Sequence, residues 1–395
     1  MQQKTINDEN KIGFAAIIFA IYAALTPVHQ ALFLSPGNTV NKYIAFALML
    51  AIVFRMKSFN KELVYRLIPF VIWIAVTLLW APSHSLMNLK TVGSHILLLV
   101  FCCSTVWRKL ELDLIRKSLV ISSVVFSIML ILSQMNEEVR RSTITFGLNE
   151  KETDPNCLAA NIGIGLIFAL SYIFISRGKL KKILMLACVL VILLGIFSTG
   201  SRSALIAVAI ASLYFVFSAS KKRRLKVGAI IGLVLGVALF VFYVFNGGGI
   251  LGDYVSSRYV DSEAVEFGGN GRIEIWGQYL AVLAKMPLVA LAGYGFPQSS
   301  TLYSEYYMTK WPPATHNDYL YIICSCGIIG LIFAFVFVRY IWKEAKKKAN
   351  TTGMACMVLA LIMSVTLNFF DTYGWWNALI FAYIGELQFE AANEN

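Results

Sequence analysis

The sequence has little charge. Only 14% of its 395 residues are Asp, Glu, Lys or Arg, whereas 58% are hydrophobic; a soluble domain has about a quarter charged residues. It also lacks the short alternating strands that a β-barrel requires. Its apolar residues instead form long runs, such as 12–34, and runs of about 20 residues cross a bilayer as helices. These features exclude a soluble or fibrous protein and predict an all-α, polytopic membrane protein.

The sequence lacks clustered metal ligands. Its seven cysteines are scattered, nearly all inside apolar runs, which is typical of small buried hydrophobic residues. Cys324 and Cys326 are two residues apart on a predicted helix, so their thiols point to different faces. We predict no disulfide framework, no metal site and no cofactor.

Twelve membrane spans are predicted, and the first is too long for a signal peptide. Basic residues cluster on alternate connections, at 55–66, 108–117, 177–182, 221–226 and 339–348. The positive-inside rule makes that face cytoplasmic and places both termini there. The net charge of +12 is therefore a signal of topology and does not indicate binding to nucleic acid. The predicted spans are 12–33, 40–54, 65–81, 88–106, 118–135, 155–175, 183–198, 202–219, 227–245, 316–338, 352–368 and 373–388.

One connection on the opposite, periplasmic face is long. Residues 246–315 separate the ninth and tenth spans within a single membrane domain of residues 1–395, and loops of such length are usually functional or disordered. Its later part contains an amphipathic segment that ends before Pro287. We expect this segment to form an ordered cap on the membrane surface, with one apolar face made by Ile273, Trp276, Leu280 and Leu283.

Four predicted helices begin on this periplasmic side with polar motifs. Asp154-Pro155-Asn156 opens the sixth span, Ser201-Arg202 the eighth, Gly271-Arg272 the loop helix, and Thr315-His316-Asn317-Asp318 the tenth. The last matches a capping box, with Thr315 as the N-cap. A helix N-terminus favours anions, and an arginine there adds a planar fork suited to phosphate oxygens. Two such arginines fit a lipid diphosphate.

Each of these residues also has a purely structural interpretation. In the structural interpretation, Arg202 extends its guanidinium group to the lipid headgroups. Arg272 would form an ion pair with Glu274 or Glu266. The acidic residues in these motifs are expected first of all to cap their helices. A single histidine at a membrane face is commonly just a polar side chain with a hydrogen-bond partner. At a helix N-terminus, however, His316 stays neutral and can act as a base.

The order of these motifs resembles the bacterial O-antigen ligase and O-antigen polymerase superfamily. The matching stretches cover residues 154–338, whereas the first 150 residues match only as a series of spans. The matching motifs are Asp154-Pro155-Asn156, Thr199-Gly200-Ser201-Arg202, Gly271-Arg272 with Trp276, Gly293-Tyr294-Gly295-Phe296, His316-Asn317-Asp318-Tyr319-Leu320 and Gly327 with Gly330.

The resemblance implies a metal-independent membrane glycosyltransferase of the GT-C type in the bacterial inner membrane. Such proteins move a glycan from undecaprenyl diphosphate to an acceptor sugar at the periplasmic face. It implies that Arg202 and Arg272 bind the diphosphate and that His316 takes the proton of the acceptor hydroxyl. Five further motif residues are candidates for supporting roles: Asp154, Asn156, Ser201, Asn317 and Asp318.

Several functions remain open at this point. A ligase would use lipid A–core as acceptor, whereas a polymerase would use a second lipid-linked glycan; both need the same groups. A transporter of the lipid-linked sugar would place ionisable residues near the middle of the bilayer, where the predicted spans have almost none. A membrane scaffold would explain the long loop but would leave the two arginines and His316 without a purpose.

Overall fold

The computed structural model describes residues 11–35, 38–82, 86–136, 143–144, 153–220 and 271–385, with residues 228 and 232 as isolated positions. Both chain ends, the basic cluster 221–226, nearly all of the predicted ninth span and residues 246–270 of the long loop lie outside the described residues. The predictions made for those segments stay predictions.

The described residues are helical apart from a 3-10 turn and a short antiparallel strand pair. The helix α1 ends at Leu25, well before the predicted boundary at residue 33, because a 3-10 turn with Pro27 in its first turn follows. The elements are α1 Phe14–Leu25, the 3-10 turn Thr26–Val28, β1 Phe33–Ser35, β2 Asn38–Thr39, α2 Val40–Val53, α3 Lys61–Thr77, α4 Leu86–Ser104, α5 Lys109–Asn136, α6 Pro155–Ile175, α7 Lys179–Ser198, α8 Arg202–Ala219, α9 Arg272–Lys285, α10 Pro287–Ala292, α11 Ser299–Tyr307, α12 Asp318–Lys347, α13 Thr351–Thr366 and α14 Tyr373–Ile384.

Among the described residues, five helices are long and apolar enough to cross a membrane: most of α5, together with α6, α7, α8 and α12. Shorter apolar helices cover 14–28, 40–53, 90–104 and 351–366. The prediction of an all-helical membrane protein is thus confirmed, while the count of twelve spans and the side assigned to each end stay predictions.

Consecutive long helices run antiparallel, so their ends gather in two groups. The hydroxyl of Tyr172, near the end of α6, donates to Asp113 near the start of α5 at 2.6 Å. At the other end, Thr315 before α12 donates to Asn368 after α13 at 2.8 Å. We call the end with the starts of α6, α8 and α12 the loop end. The opposite end carries the clusters 55–66, 108–117, 177–182 and 339–348, and we call it the basic end.

The centre of the bundle is α6. Nearly every side chain from Asn156 to Ser171 is buried, and a helix that is apolar all round is a core helix. It packs against α5, α7, α8 and α13. Because α6 is enclosed by these neighbours, its first turn is held at the loop end between other elements.

The basic end is held by ionic contacts. Arg55 donates to both carboxylate oxygens of Glu111 at 2.6 Å, and the same carboxylate accepts the backbone N–H groups of Gly13 and Arg108 at 3.0 and 2.8 Å. The Arg55 guanidinium also lies 5.3 Å from the centre of the Trp107 ring. Glu111 therefore joins α1, α2 and α5, and its burial is compensated because every contact is a hydrogen bond to the charged form.

A break inside α12 gives the loop a place to attach. Gly327 adopts φ +70°, ψ 179°, which releases the carbonyl groups before it from the helix. The Cys324 and Ser325 carbonyls accept the N–H groups of Tyr294 and Gly295 at 2.8 and 3.1 Å. A side chain at Gly327 would meet the Leu291 carbonyl oxygen at 2.1 Å. The glycine therefore provides both the bend in α12 and the room for the end of α10.

The helices α9, α10 and α11 form the described part of the long loop. Their core consists of Tyr279, Val282, Leu283, Leu302, Tyr303, Leu320 and Cys324. Of the apolar face expected from the sequence, Leu283 is buried and Trp276 is partly buried in this core, whereas Ile273 and Leu280 are 66% and 54% exposed. The buried stripe is centred on Tyr279 and Val282, because α9 and α11 pack on α12 with Tyr279 and Tyr303 inward.

Candidate functional site

The first helix at the loop end begins as the sequence predicts. Asp154 is the N-cap of α6, and its carboxylate accepts the backbone N–H groups of Asn156 and Cys157 at 2.8 and 2.9 Å. Asn156 itself is 7% exposed. The N–H of Asp154 donates to the side-chain oxygen of Gln30 at 2.8 Å. The connection after α1 therefore contacts the start of α6 and helps to set its position.

The start of α8 also follows the prediction. Ser201 is the buried N-cap, and its hydroxyl accepts the N–H of Ala204 at 3.4 Å. Arg202 is the first residue of the helix and is half-buried. The antiparallel order of α6, α7 and α8 puts this arginine at the same end of the bundle as Asp154.

The loop helix α9 places Arg272 in its first turn. Two of its side chains hold the segment that leads to α12. The indole N–H of Trp276 donates to the carbonyl of Thr315 at 2.9 Å, and the hydroxyl of Tyr279 donates to the carbonyl of Pro313 at 2.8 Å. The spacing of Gly-Arg-x-x-x-Trp thus has a structural reason. One turn of helix separates the arginine from the indole that binds the residue before His316.

His316 stands at the turn between that segment and α12. Its φ is +44°, a left-handed conformation that is uncommon for a residue with a side chain and often marks a functional position. Among the histidines in the described ranges, His29 and His95 are 6% and 1% exposed, whereas His316 is half-buried. His84 lies outside those ranges. His316 is therefore the most accessible of the three to a substrate from outside the bundle.

The electrostatics of His316 connect three helix starts. Its partial burial and the positive charge of Arg272 lower the pKa of the imidazole below its ordinary value, while the negative charge of Asp154 acts in the opposite direction. Charges influence a pKa in this way only when they lie close by. The structure therefore brings His316, Arg272 and Asp154 into one neighbourhood. The lowered pKa keeps the imidazole neutral near pH 7, which is the form that accepts a proton.

The start of α12 differs from the expected capping box. The N-cap is Asn317, whose side-chain oxygen accepts the N–H of Leu320 at 3.0 Å. Thr315 does not cap the helix, which begins only at Asp318; its hydroxyl donates to Asn368 instead. The buried Asp318 carboxylate accepts the N–H of Phe370 at 2.9 Å. Asp318 thus binds the connection between α13 and α14.

Sequence reasoning missed three residues at the loop end. Gln30 and Asn368 carry no motif and lie outside the segment that suggested the function. Asp371 follows α13, and burial raises the pKa of its carboxyl to about 6, with the Tyr321 hydroxyl as a smaller opposing influence. The available sequence signal for Asn368 and Asp371 was their position in a short break, 367–372, between two apolar runs. Such a break equally predicts an ordinary turn.

Two comparisons with known proteins bear on this arrangement. The sequence model of the family described as O-antigen ligase matches residues 186–335. This segment runs from α7 to α12 and includes Arg202, Arg272 and His316. No curated protein matches the chain. The resemblance of this chain to the O-antigen ligase and O-antigen polymerase superfamily, indicated first by its motifs, is confirmed by the family match.

Proposed function

We propose that this protein is an O-antigen ligase of the bacterial inner membrane. It transfers a glycan from undecaprenyl diphosphate to lipid A–core at the periplasmic face. The observation that carries the proposal is the neighbourhood of His316, Arg272 and Asp154 at one end of the helical bundle. The family match over residues 186–335 supports a glycosyltransferase of this kind.

In the proposed reaction His316 is the base. The neutral imidazole takes the proton of an acceptor hydroxyl as its oxygen attacks the anomeric carbon of the donor sugar. The bond from that carbon to the diphosphate oxygen breaks, and undecaprenyl diphosphate leaves. General-base catalysis of this type contributes about 10²- to 10⁴-fold to a rate. A single displacement inverts the configuration at the anomeric carbon.

Arg202 and Arg272 are proposed to bind the diphosphate. Each occupies the first turn of a helix, where the helix dipole and the backbone N–H groups favour an anion. Their guanidinium groups would stabilise the charge that develops on the leaving oxygen. Because the diphosphate is already a good leaving group, the proposed reaction needs no metal ion. Asp154, Asn156, Ser201, Asn317 and Asp318 would serve by holding the helix starts in place.

The test uses purified protein in detergent with an undecaprenyl-diphosphate-linked glycan as donor. Lipid A–core is added to one reaction and omitted from a second, and the products are resolved on a gel. Product that forms only with lipid A–core supports the ligase. A ladder of longer lipid-linked chains without lipid A–core would show a polymerase instead. An intact donor in both reactions would contradict glycosyl transfer to these acceptors and favour transport of the lipid-linked sugar.

A further inference from the structure

One oxygen atom connects the two residues on either side of His316. The side-chain oxygen of Asn368 accepts the hydroxyl of Thr315 at 2.8 Å and the backbone N–H of Asn317 at 3.1 Å. Asn368 lies in the connection between α13 and α14, more than 50 residues along the chain from His316. Thr315 and Asn317 are 1% and 8% exposed, so water competes little for these bonds.

The two bonds enclose a backbone conformation that His316 does not favour by itself. A left-handed φ in a residue other than glycine persists only where the surroundings impose it. Here the residue before His316 is held by Asn368 through its hydroxyl and by Trp276 through its carbonyl. The residue after it is held by Asn368 and begins α12. The direction in which the imidazole leaves the backbone is therefore set by Asn368 on both sides.

A second contact fixes Asn368 relative to α12. The carboxylate of Asp318 accepts the N–H of Phe370, two residues after Asn368, at 2.9 Å. The connection between α13 and α14 is thus attached to the start of α12 at two points. A shift of Asn368 away from the turn at His316 would break both attachments.

We propose that Asn368 is a positioning residue for His316 in the transfer reaction. It touches no reacting atom in this proposal and acts through the backbone of residues 315 to 317. The inference rests on the proposed role of His316 as the base. It adds a residue outside the segment matched by the O-antigen ligase family.

Two substitutions at this position test the proposal. Asn368→Leu has nearly the same size but removes the acceptor, so His316 loses its orientation. We expect kcat to fall about 10- to 100-fold with little change in the KM for donor, since misplacement of a catalytic group costs that much. Asn368→Asp keeps the acceptor and adds a negative charge, which raises the pKa of a nearby imidazole. We expect the acid limb of its pH–rate profile to move to higher pH.

Asn350 is the matched control, because it precedes the same helix at the basic end. Its side chain caps α13 through Gly353 and donates to the Phe381 and Ala382 carbonyls at 2.7 Å. The helix of 16 residues separates the two asparagines by roughly 24 Å at 1.5 Å per residue. Asn350→Leu should lower the thermal stability and leave the pH–rate profile unchanged.

A titration of the histidines by NMR gives a readout that does not depend on activity. The signal of His316 is assigned from its loss in His316→Gln. In Asn368→Asp this signal should titrate at higher pH than in the wild type. Wild-type kcat in Asn368→Leu, or an unchanged His316 titration in Asn368→Asp, would overturn the inference. Full activity in His316→Gln would instead contradict the proposed base, whatever the titration shows.

Discussion

The two ends of the bundle use polar residues in different ways. At the basic end, within the part of the chain that the structure describes, four ion pairs join neighbouring residues or helices: Arg55–Glu111, Arg66–Glu62, Lys117–Asp113 and Lys347–Glu344. Around His316 the described contacts are hydrogen bonds between neutral side chains and the backbone: Trp276 and Tyr279 donate to carbonyl groups, and Asn368 accepts the N–H of Asn317. The charged groups of that neighbourhood, Arg272 and Asp154, act on the pKa of the imidazole.

The difference shows what each end requires. An ion pair compensates the cost of bringing charge close to a membrane, and Glu111 is the clearest case because its side chain is fully buried. In the proposed site the turn at His316 is held by neutral groups, whereas the carboxylates of Asp154 and Asp318 bind backbone N–H groups nearby. The predictions below test this contrast, from the largest expected effect to the smallest.

The removal of the base should have the largest effect. His316→Gln keeps a polar side chain but cannot take a proton at neutral pH. We expect kcat for glycan transfer to fall about 10²- to 10⁴-fold, while binding of the donor, measured by fluorescence titration, stays close to wild type. Undiminished turnover would exclude His316 as the base.

Substitution of the arginines should come next. Arg202→Ala and Arg272→Ala are expected to weaken donor binding about 10- to 100-fold, since hydrogen bonds between charged groups contribute roughly 1.5–3 kcal/mol. Arg202→Lys and Arg272→Lys should recover only part of this loss, because lysine lacks the planar fork. Arg66→Lys, in an exposed pair at the basic end, is the control. Equal binding by the Lys and Arg forms would argue against bidentate phosphate contacts.

At the basic end the effect should fall on stability instead. Glu111→Gln weakens the contact with Arg55 and leaves the guanidinium partly uncompensated, which we expect to lower the free energy of unfolding by about 2 kcal/mol. Thermal unfolding in detergent measures this loss. The fraction that remains folded should keep its kcat. The control is the exposed ion pair Arg66–Glu62. Glu62→Gln should change the free energy of unfolding little.

A smaller effect on activity is expected from the indole that binds Thr315. Trp276→Phe keeps the ring and removes the N–H donor, so we expect kcat to fall about 3- to 10-fold, the range of a single hydrogen bond. Trp311→Phe makes the same chemical change on a side chain that is 88% exposed and should be silent. Equal losses in both variants would show that the bond to Thr315 is not the reason.

The smallest effects should be shifts of the pH profile. In the proposed mechanism transfer requires neutral His316, so we expect kcat/KM to fall as the pH drops through its pKa. Arg272→Gln removes the charge that lowers this pKa, and the acid limb should move to higher pH. Asp154→Asn removes the charge that raises it and keeps a good N-cap, so the limb should move to lower pH. Profiles measured under saturating acceptor check both directions; a shift of the same sign in both variants would contradict the assignment.

Local patterns predicted much of the framework. Apolar runs placed the described long helices, and cap residues placed the starts of α6 and α8, because capping and helix length depend on neighbours in the chain. The same reasoning was wrong about Thr315 as the cap of α12. A threonine and an asparagine two residues apart both fit an N-cap, and the contact of Thr315 with Asn368 left the cap to Asn317.

The buried face of α9 was also beyond local reasoning. Helical periodicity identified an apolar face that included Ile273 and Leu280, and the core of the loop helices leaves these two side chains exposed. Tyr279 is fully buried instead, because its hydroxyl has a partner in the Pro313 carbonyl. A tyrosine can be buried at little cost once such a partner is present, and only the packed structure supplies it.

By itself, the sequence determined the class of the protein, the starts of α6 and α8 and the residue types suited to a lipid diphosphate. These depend on hydropathy, capping and charge, which are properties of short segments. Only the tertiary structure decided which of these residues meet. Gln30 contacts Asp154 across 124 positions of the chain. Asn368, which follows α13 in the sequence, holds the turn at His316. Contacts of this kind arise when distant helices pack together, and no local pattern specifies them.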